Sequence, residues 1–141
     1  MYQPISQIDE SRLARESGKG VSVALWTTQA ILTILFLFAG ATKFLMPLEE
    51  MTKDSPLPGW FLLFIGAVEI LGGIGLIAPA LTRIQPVLTP VAACGLVIIM
   101  IGATVVSIPM GAVALFPLVI GVFAAFVAYG RLRLKPIAAR A

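Results

Sequence analysis

The sequence predicts an all-α integral membrane protein, a four-helix bundle with both termini in the cytoplasm. Three observations carry that prediction. Only 12% of the 141 residues are charged and 59% are hydrophobic, whereas a soluble domain carries about 25% charge. Charge-free runs long enough to cross a bilayer recur along the chain, and helices apolar on every face belong in lipid. The basic residues gather at the chain ends and in one middle loop, the arrangement that orients membrane helices.

Residues 1–20 are polar and read as a flexible cytoplasmic arm, with capping-box spacing at Ser6-Gln7-Ile8-Asp9. The first charge-free run extends from Gly20 to Thr42, with its core at Val23–Ala41. Ala39-Gly40-Ala41 resembles a signal-peptide cleavage site. The run is longer than the roughly 7–15 residues of a signal-peptide core, however, and a polar arm precedes it, so it reads as a retained span. The connector Met46–Gly59 carries Glu49, Glu50, Asp54 and Lys53 with prolines at 47, 56 and 58. It is a solvated loop with the means to lid an outward pocket.

The second span is Trp60–Ala78, and its only charge is Glu69. An acidic residue at a helix centre costs roughly 2.5–3.5 kcal/mol on insertion, while each Leu, Ile, Phe or Val contributes about 0.3–0.6 in favour. The span holds eleven such residues, so it inserts. From Ile84 to Gly130 there is no charge. As one helix that stretch would be about 70 Å long, over twice the hydrocarbon thickness, so it must fold back. Pro109 and Gly111 place the reversal at residues 107–111 and give spans near 86–106 and 112–130. Pro86 and Pro90 fall where missing amides cost little. Pro117 is expected to kink the last span. Gly95 and Gly102, seven residues apart, read as a helix-packing seam. Residues 21–134 thus form the membrane domain, and 135–141 a short basic cytoplasmic tail. The Arg131–Lys135 run reads as a stop signal facing anionic lipid.

With four spans, Arg12, Arg15, Lys19, Arg83, Arg131, Arg133, Lys135 and Arg140 share one side, and Lys43 and Lys53 the other. Eight against two places both termini in the cytoplasm. A three-span chain would divide the terminal clusters. Trp26, Trp60 and Tyr129 fall at span ends, where interfacial aromatics belong.

Composition also excludes chemistries. Cys94 is the single cysteine and histidine is absent, so a disulfide, a CxxC redox pair and a thiolate or imidazole metal centre are not expected. No basic patch is interleaved with aromatics, which argues against nucleic acid.

Glu69 is the residue that draws a functional reading, since an intramembrane carboxyl group marks a site by default. Gly66, Glu69 and Gly73 share one helical face, and small residues there admit a neighbouring helix. Thr33, Phe36, Gly40 and Lys43 form a matching stripe on the first span. Glu69 lies about 13 Å below the outer interface at helical rise, and an inward-turned Lys43 would close much of that offset, directly or through a water. Two readings stand side by side: a buried Glu–Lys pair that fixes helix register, or a proton-handling or ligand-anchoring carboxylate in an outward pocket. Thr104 and Ser107 supply hydroxyls at the same end of the third span and are candidate secondary contacts.

Three motifs in order then gain meaning together. The first span ends Phe38-Ala-Gly-Ala-Thr-Lys43-Phe44. Leu57-Pro-Gly-Trp60 leads to Gly66-Ala-Val-Glu69-Ile-Leu-Gly-Gly-Ile-Gly-Leu76-Ile-Ala-Pro79, and Gly95-Leu-Val-Ile-Ile-Met100-Ile-Gly-Ala103 follows. Over residues 24–134 this resembles the DoxX-like family of small four-helix membrane proteins. The resemblance implies membership of a group that includes a subunit of a thiosulfate:quinone oxidoreductase and a component of a membrane-associated oxidative-stress complex. Many relatives place a histidine shortly after the M-x-G-A motif, and this chain has Ser107 there.

The expectation is therefore an inner-membrane, multi-pass accessory subunit or quinone-like small-molecule site in membrane redox metabolism, itself a possible non-catalytic subunit. Glu69 would handle a proton, Lys43 would set its charge, and Thr104 and Ser107 would assist. No redox centre of its own is visible, so a bound quinone and a redox partner subunit or homo-oligomer are implied. The alternative is a non-enzymatic scaffold or assembly factor with a purely structural Glu–Lys pair. A small transporter is disfavoured, because four helices without repeats suit alternating access poorly.

Overall fold

Proline fixes where the first helix begins and ends. In the computed structural model, which describes residues 4–139, helix α1 runs unbroken from Ile5 to Leu45 between Pro4 and Pro47. Met46, held extended at φ −78° and ψ 144°, is the residue that a following proline keeps out of helical geometry. The polar arm expected to be flexible is instead the first turns of α1. Its Glu, Arg, Leu and Ala residues are good helix formers, and Gly18 and Gly20 cost only about 1 kcal/mol each. Ser6 lies within the helix, so it is not the cap; Pro4 occupies that position. Residues 1–3 and, in the basic tail, Arg140 and Ala141 lie outside the described residues.

A short helix α2 (Leu48–Thr52) carries Glu49 and Glu50 in its first turn, where the helix dipole favours acids. Helix α3 (Gly59–Thr82) ends on Arg83 in the left-handed region at φ 57°, whose N–H donates to the Pro79 carbonyl at 2.9 Å. Helix α4 spans Leu88–Ser107, with Pro86 before it and Pro90 in its first turn. A 3₁₀ segment, Ile108–Ala114, then reverses the chain at Gly111 (φ 69°, ψ −123°), a backbone conformation open to glycine without steric cost. Helix α5 covers Leu115–Tyr129. Pro117 therefore stands in its first turn, where its amide has no partner to lose, and the expected kink is absent. A π-helical turn, Gly130–Leu134, closes the series, with the Lys135 N–H donating to the Gly130 carbonyl at 2.7 Å.

The described residues contain helix and no strand. Three stretches are long and apolar enough to cross a membrane: Ile5–Leu45, Gly59–Thr82 and Leu88–Leu134. The third is 47 residues long and contains the Gly111 reversal, so α4 and α5 lie against each other. Contacts run from α1 to α3, α3 to α4, α4 to α5 and α5 back to α1. Leu32, Phe36, Leu76, Leu96, Met100 and Ile120 fill the centre of that circuit. Ile34, Phe38, Leu71, Ile98 and Val122 point away from it, an apolar exterior that lipid satisfies and water does not.

The small residues that bring α3 and α4 together lie on α3. A Cβ on Gly72 would stand 2.6 Å from Leu96, and one on Gly75 2.8 Å from the Ala92 side chain. Gly95 and Gly102 of α4 would meet nothing within 4 Å. The seam predicted on α4 is therefore open surface rather than a helix contact.

Candidate functional site

The two stripes read from the sequence face each other. A Cβ on Gly40 of α1 would lie 2.6 Å from the Gly66 carbonyl of α3, and one on Gly73 would lie 3.3 Å from the Thr33 carbonyl. Backbones this close bring long side chains into direct reach. Lys43 Nζ donates to Glu69 Oε2 at 2.7 Å, with no water between, and to the Ala39 carbonyl at 3.3 Å. Glu69 is only 4% exposed, while the Lys43 side chain is 25% exposed. An ammonium has three protons to donate, and two are engaged. Glu69 Oε1 accepts no hydrogen bond among the described residues.

The pair forms one wall of a cavity of about 470 Å³. Phe61 and Ile65 share the Glu69 face of α3 at four-residue spacing, and with Phe64 and Ile98 of α4 they complete the lining; the Phe61 and Phe64 rings stack at 6.1 Å between centroids. Ser55, Pro56 and Leu57 of the α2–α3 connector also line it. The volume lies within the roughly 300–1,000 Å³ of small-molecule sites, which join apolar walls to a few convergent polar groups.

Ser107 lines this cavity with Lys43 and Glu69. Thr104 does not. Its hydroxyl donates to the Met100 carbonyl at 2.7 Å, the back-bond that mid-helix threonines commonly make, and it borders a separate groove between α4 and α5. Among the described residues, no group of three or more His, Cys, Asp or Glu is placed to hold a metal.

A second polar constellation was not anticipated. Gln29, fully buried on α1, donates from Nε2 to the Leu76 carbonyl of α3 at 2.6 Å. Its Oε1 accepts from Arg131 Nε at 2.6 Å. Arg131, 5% exposed, lies 5.0 Å over the Trp26 ring, a cation–π geometry, and donates from Nη1 to the Lys135 carbonyl at 3.2 Å. Its Nη2 is buried without a partner among the described residues. Helical spacing produces this burial: Arg131 continues the buried face of α5 set by Ile120, Ala124 and Val127, and Gly130 beside it sits against Leu25. Within the run read as facing lipid, Arg133 does point outward but Arg131 does not. The signal was present in the sequence: Gln29 continues the Thr33–Phe36–Gly40–Lys43 stripe by one further turn.

These features define a multi-pass helical membrane protein with a buried ion pair beside an apolar cavity. The family model of the DoxX-like family matches residues 27–128, and the chain belongs to that family. No curated protein and no solved structure matches it.

Proposed function

We propose that the Lys43–Glu69 cavity holds the headgroup of a quinone-like molecule, and that the protein serves as an accessory subunit in membrane-associated redox metabolism. The observation that carries this reading is the pairing of a free donor and a free acceptor on one wall of an otherwise apolar, aromatic-lined space. The remaining Lys43 proton suits a quinone carbonyl. Glu69 Oε1 suits the hydroxyl of the reduced form, from which it can also take a proton. Phe61 and Phe64 supply flat apolar area for the ring, and Ser107 a further hydroxyl. Electrons would come from a partner subunit, since a single cysteine and no histidine leave no disulfide pair or imidazole ligand in the sequence to supply them.

Placement of both chain ends in the cytoplasm, from the eight-to-two distribution of basic residues, belongs to the same reading. It opens the cavity toward the outer face of the inner membrane. The test is organic extraction of the purified protein followed by quinone analysis, repeated on Glu69→Gln. Co-purifying quinone that disappears from a folded Glu69→Gln variant supports the site. Quinone at the level of an unrelated membrane protein refutes it.

A second reading is favoured by the Gly40–Gly66 crossing, one turn from the ion pair. There the pair is a register lock for α1 on α3 in a scaffold or assembly factor. Under that reading Glu69→Gln lowers stability and leaves the activity of the host complex unchanged.

A further inference from the structure

The opposite end of α1 carries a second constructed feature, independent of the Glu69 cavity. Arg15, Lys19 and Ser22 lie at helical spacing on one face of α1, with Ala14 and Gly18 beside them. Together with Lys135 they line a cleft of about 480 Å³. Gly18 makes the notch: a Cβ there would stand 2.9 Å from Lys135 Nζ and 3.3 Å from its Cε, so the lysine head lies where a side chain would otherwise be. Arg131 pins the tail that delivers it, through its bond to the Lys135 carbonyl.

Three cations thus converge with a hydroxyl, and among the described residues no carboxylate lines the cleft. Glu16, on the same helix, is not on its wall. The one ion pair among the described residues is Lys43–Glu69, so none of these cations, nor the buried Arg131 guanidinium nearby, is in direct contact with a described carboxylate. Bringing like charges together is unfavourable unless an anion joins them.

The geometry points to a binding site for the phosphate of an anionic phospholipid headgroup, gripped between α1 and the C-terminal tail. Position selects lipid as the source of that anion. The apolar run of α1 begins at Val21, and exposed Val23, Leu132 and Leu134 adjoin the cleft in sequence, so acyl chains attached to a phosphate held there have apolar surface to follow. Lys19 and Lys43 are 24 residues apart on α1, about 36 Å, which separates this site from the other by more than the hydrocarbon thickness.

The experiment is native mass spectrometry of the full-length protein in detergent, titrated with phosphatidylglycerol and, separately, with phosphatidylcholine. The wild type should retain phosphatidylglycerol preferentially. Lys19→Gln/Lys135→Gln should weaken that retention roughly 30-fold, from about 1 kcal/mol per basic residue near anionic lipid. Gly18→Leu fills the notch without changing charge and favours helix, so it should lose binding while circular dichroism stays unchanged. Arg83→Gln, on another connection, should bind as the wild type does. Equal retention by Gly18→Leu, or equal loss in Arg83→Gln, would overturn the site in favour of diffuse surface attraction. Displacement of the lipid by glycerol phosphate at comparable concentration would overturn lipid as the occupant.

Discussion

Gly40 and Gly66 stand so close that any side chain on Gly40 would press into the Gly66 carbonyl and the Ile70 side chain, both 2.6 Å from its Cβ. This crossing decides where Lys43 ends up. Three residues beyond Gly40 on α1 and three residues before Glu69 on α3, the two glycines put the ammonium and the carboxylate within one hydrogen bond of each other.

Gly40→Ala is accordingly expected to separate the helices and lower stability by about 1–3 kcal/mol, the range for overpacked contacts. Gly102→Ala, whose Cβ meets nothing within 4 Å, should be near neutral. Thermal unfolding of both variants in detergent makes the comparison; equal effects would remove the crossing from the account.

Removing one partner of a buried pair leaves the other uncompensated, at a cost of about 3–5 kcal/mol. Lys43→Met should show that loss, because Glu69 is almost wholly enclosed. Glu69→Gln should cost less, since the partly exposed Lys43 can turn its head toward the outer interface. Lys43→Met/Glu69→Leu should recover most of the stability. A double-mutant cycle measures the coupling, and additivity within about 0.5 kcal/mol would show that the pair contributes nothing.

Much of this was legible from residue order alone. Pro47, the Pro109–Gly111 break and the charge-free runs located the helices, because each rests on backbone sterics or on the cost of charge in lipid. The facing stripes of α1 and α3 were equally readable, since helical spacing depends on geometry and not on neighbours. What escaped was set by tertiary contact. Nothing local says that Pro117 opens a helix, because that depends on where the 3₁₀ turn stops. Thr104 and Ser107 read alike at three-residue spacing, yet the packing of α5 leaves Thr104 beside the α4–α5 groove and Ser107 beside the cavity. Arg131 is the exception: its place beside Arg133 and Lys135 makes it read as a lipid-facing stop signal, although the spacing of Ile120, Ala124, Val127 and Arg131 already sets it on the buried face of the last helix.

The Gln29–Arg131 contact yields its own expectation. Gln29→Leu removes a hydrogen bond to a charged group, worth about 1.5–3 kcal/mol, and leaves Arg131 Nε unpaired. It should lower the unfolding temperature and alter Trp26 emission, read in a Trp60→Phe background. Arg131→Lys should not substitute, because an ammonium cannot both stack on the indole and reach Gln29 and the Lys135 carbonyl in one plane. An unchanged emission spectrum in Gln29→Leu would show that the contact does not hold Arg131 in place.

Sidedness is checked with introduced thiols. In a Cys94→Ser background, Ser17→Cys and Asp54→Cys each place one cysteine at an exposed position. In intact cells an impermeant maleimide should label residue 54 and spare residue 17 until the membrane is opened. The reverse pattern would invert the proposed orientation and turn the Glu69 cavity toward the cytoplasm.

Between Pro4 and Pro47 the first helix has no proline to break it, and it is held to α3 at two places, through Gln29 and through the Gly40–Gly66 crossing. Gln29 is tied to α3 on one side and to the C-terminal turn on the other. Lys19 lies ten residues to one side of it and Lys43 fourteen to the other, about 15 and 21 Å away. Because Gly40 meets Gly66 only three residues before Lys43, the Lys43 end is the anchored one, and strain entering at the other end meets the glycines at 18 and 20 before it can reach the bond between Lys43 and Glu69.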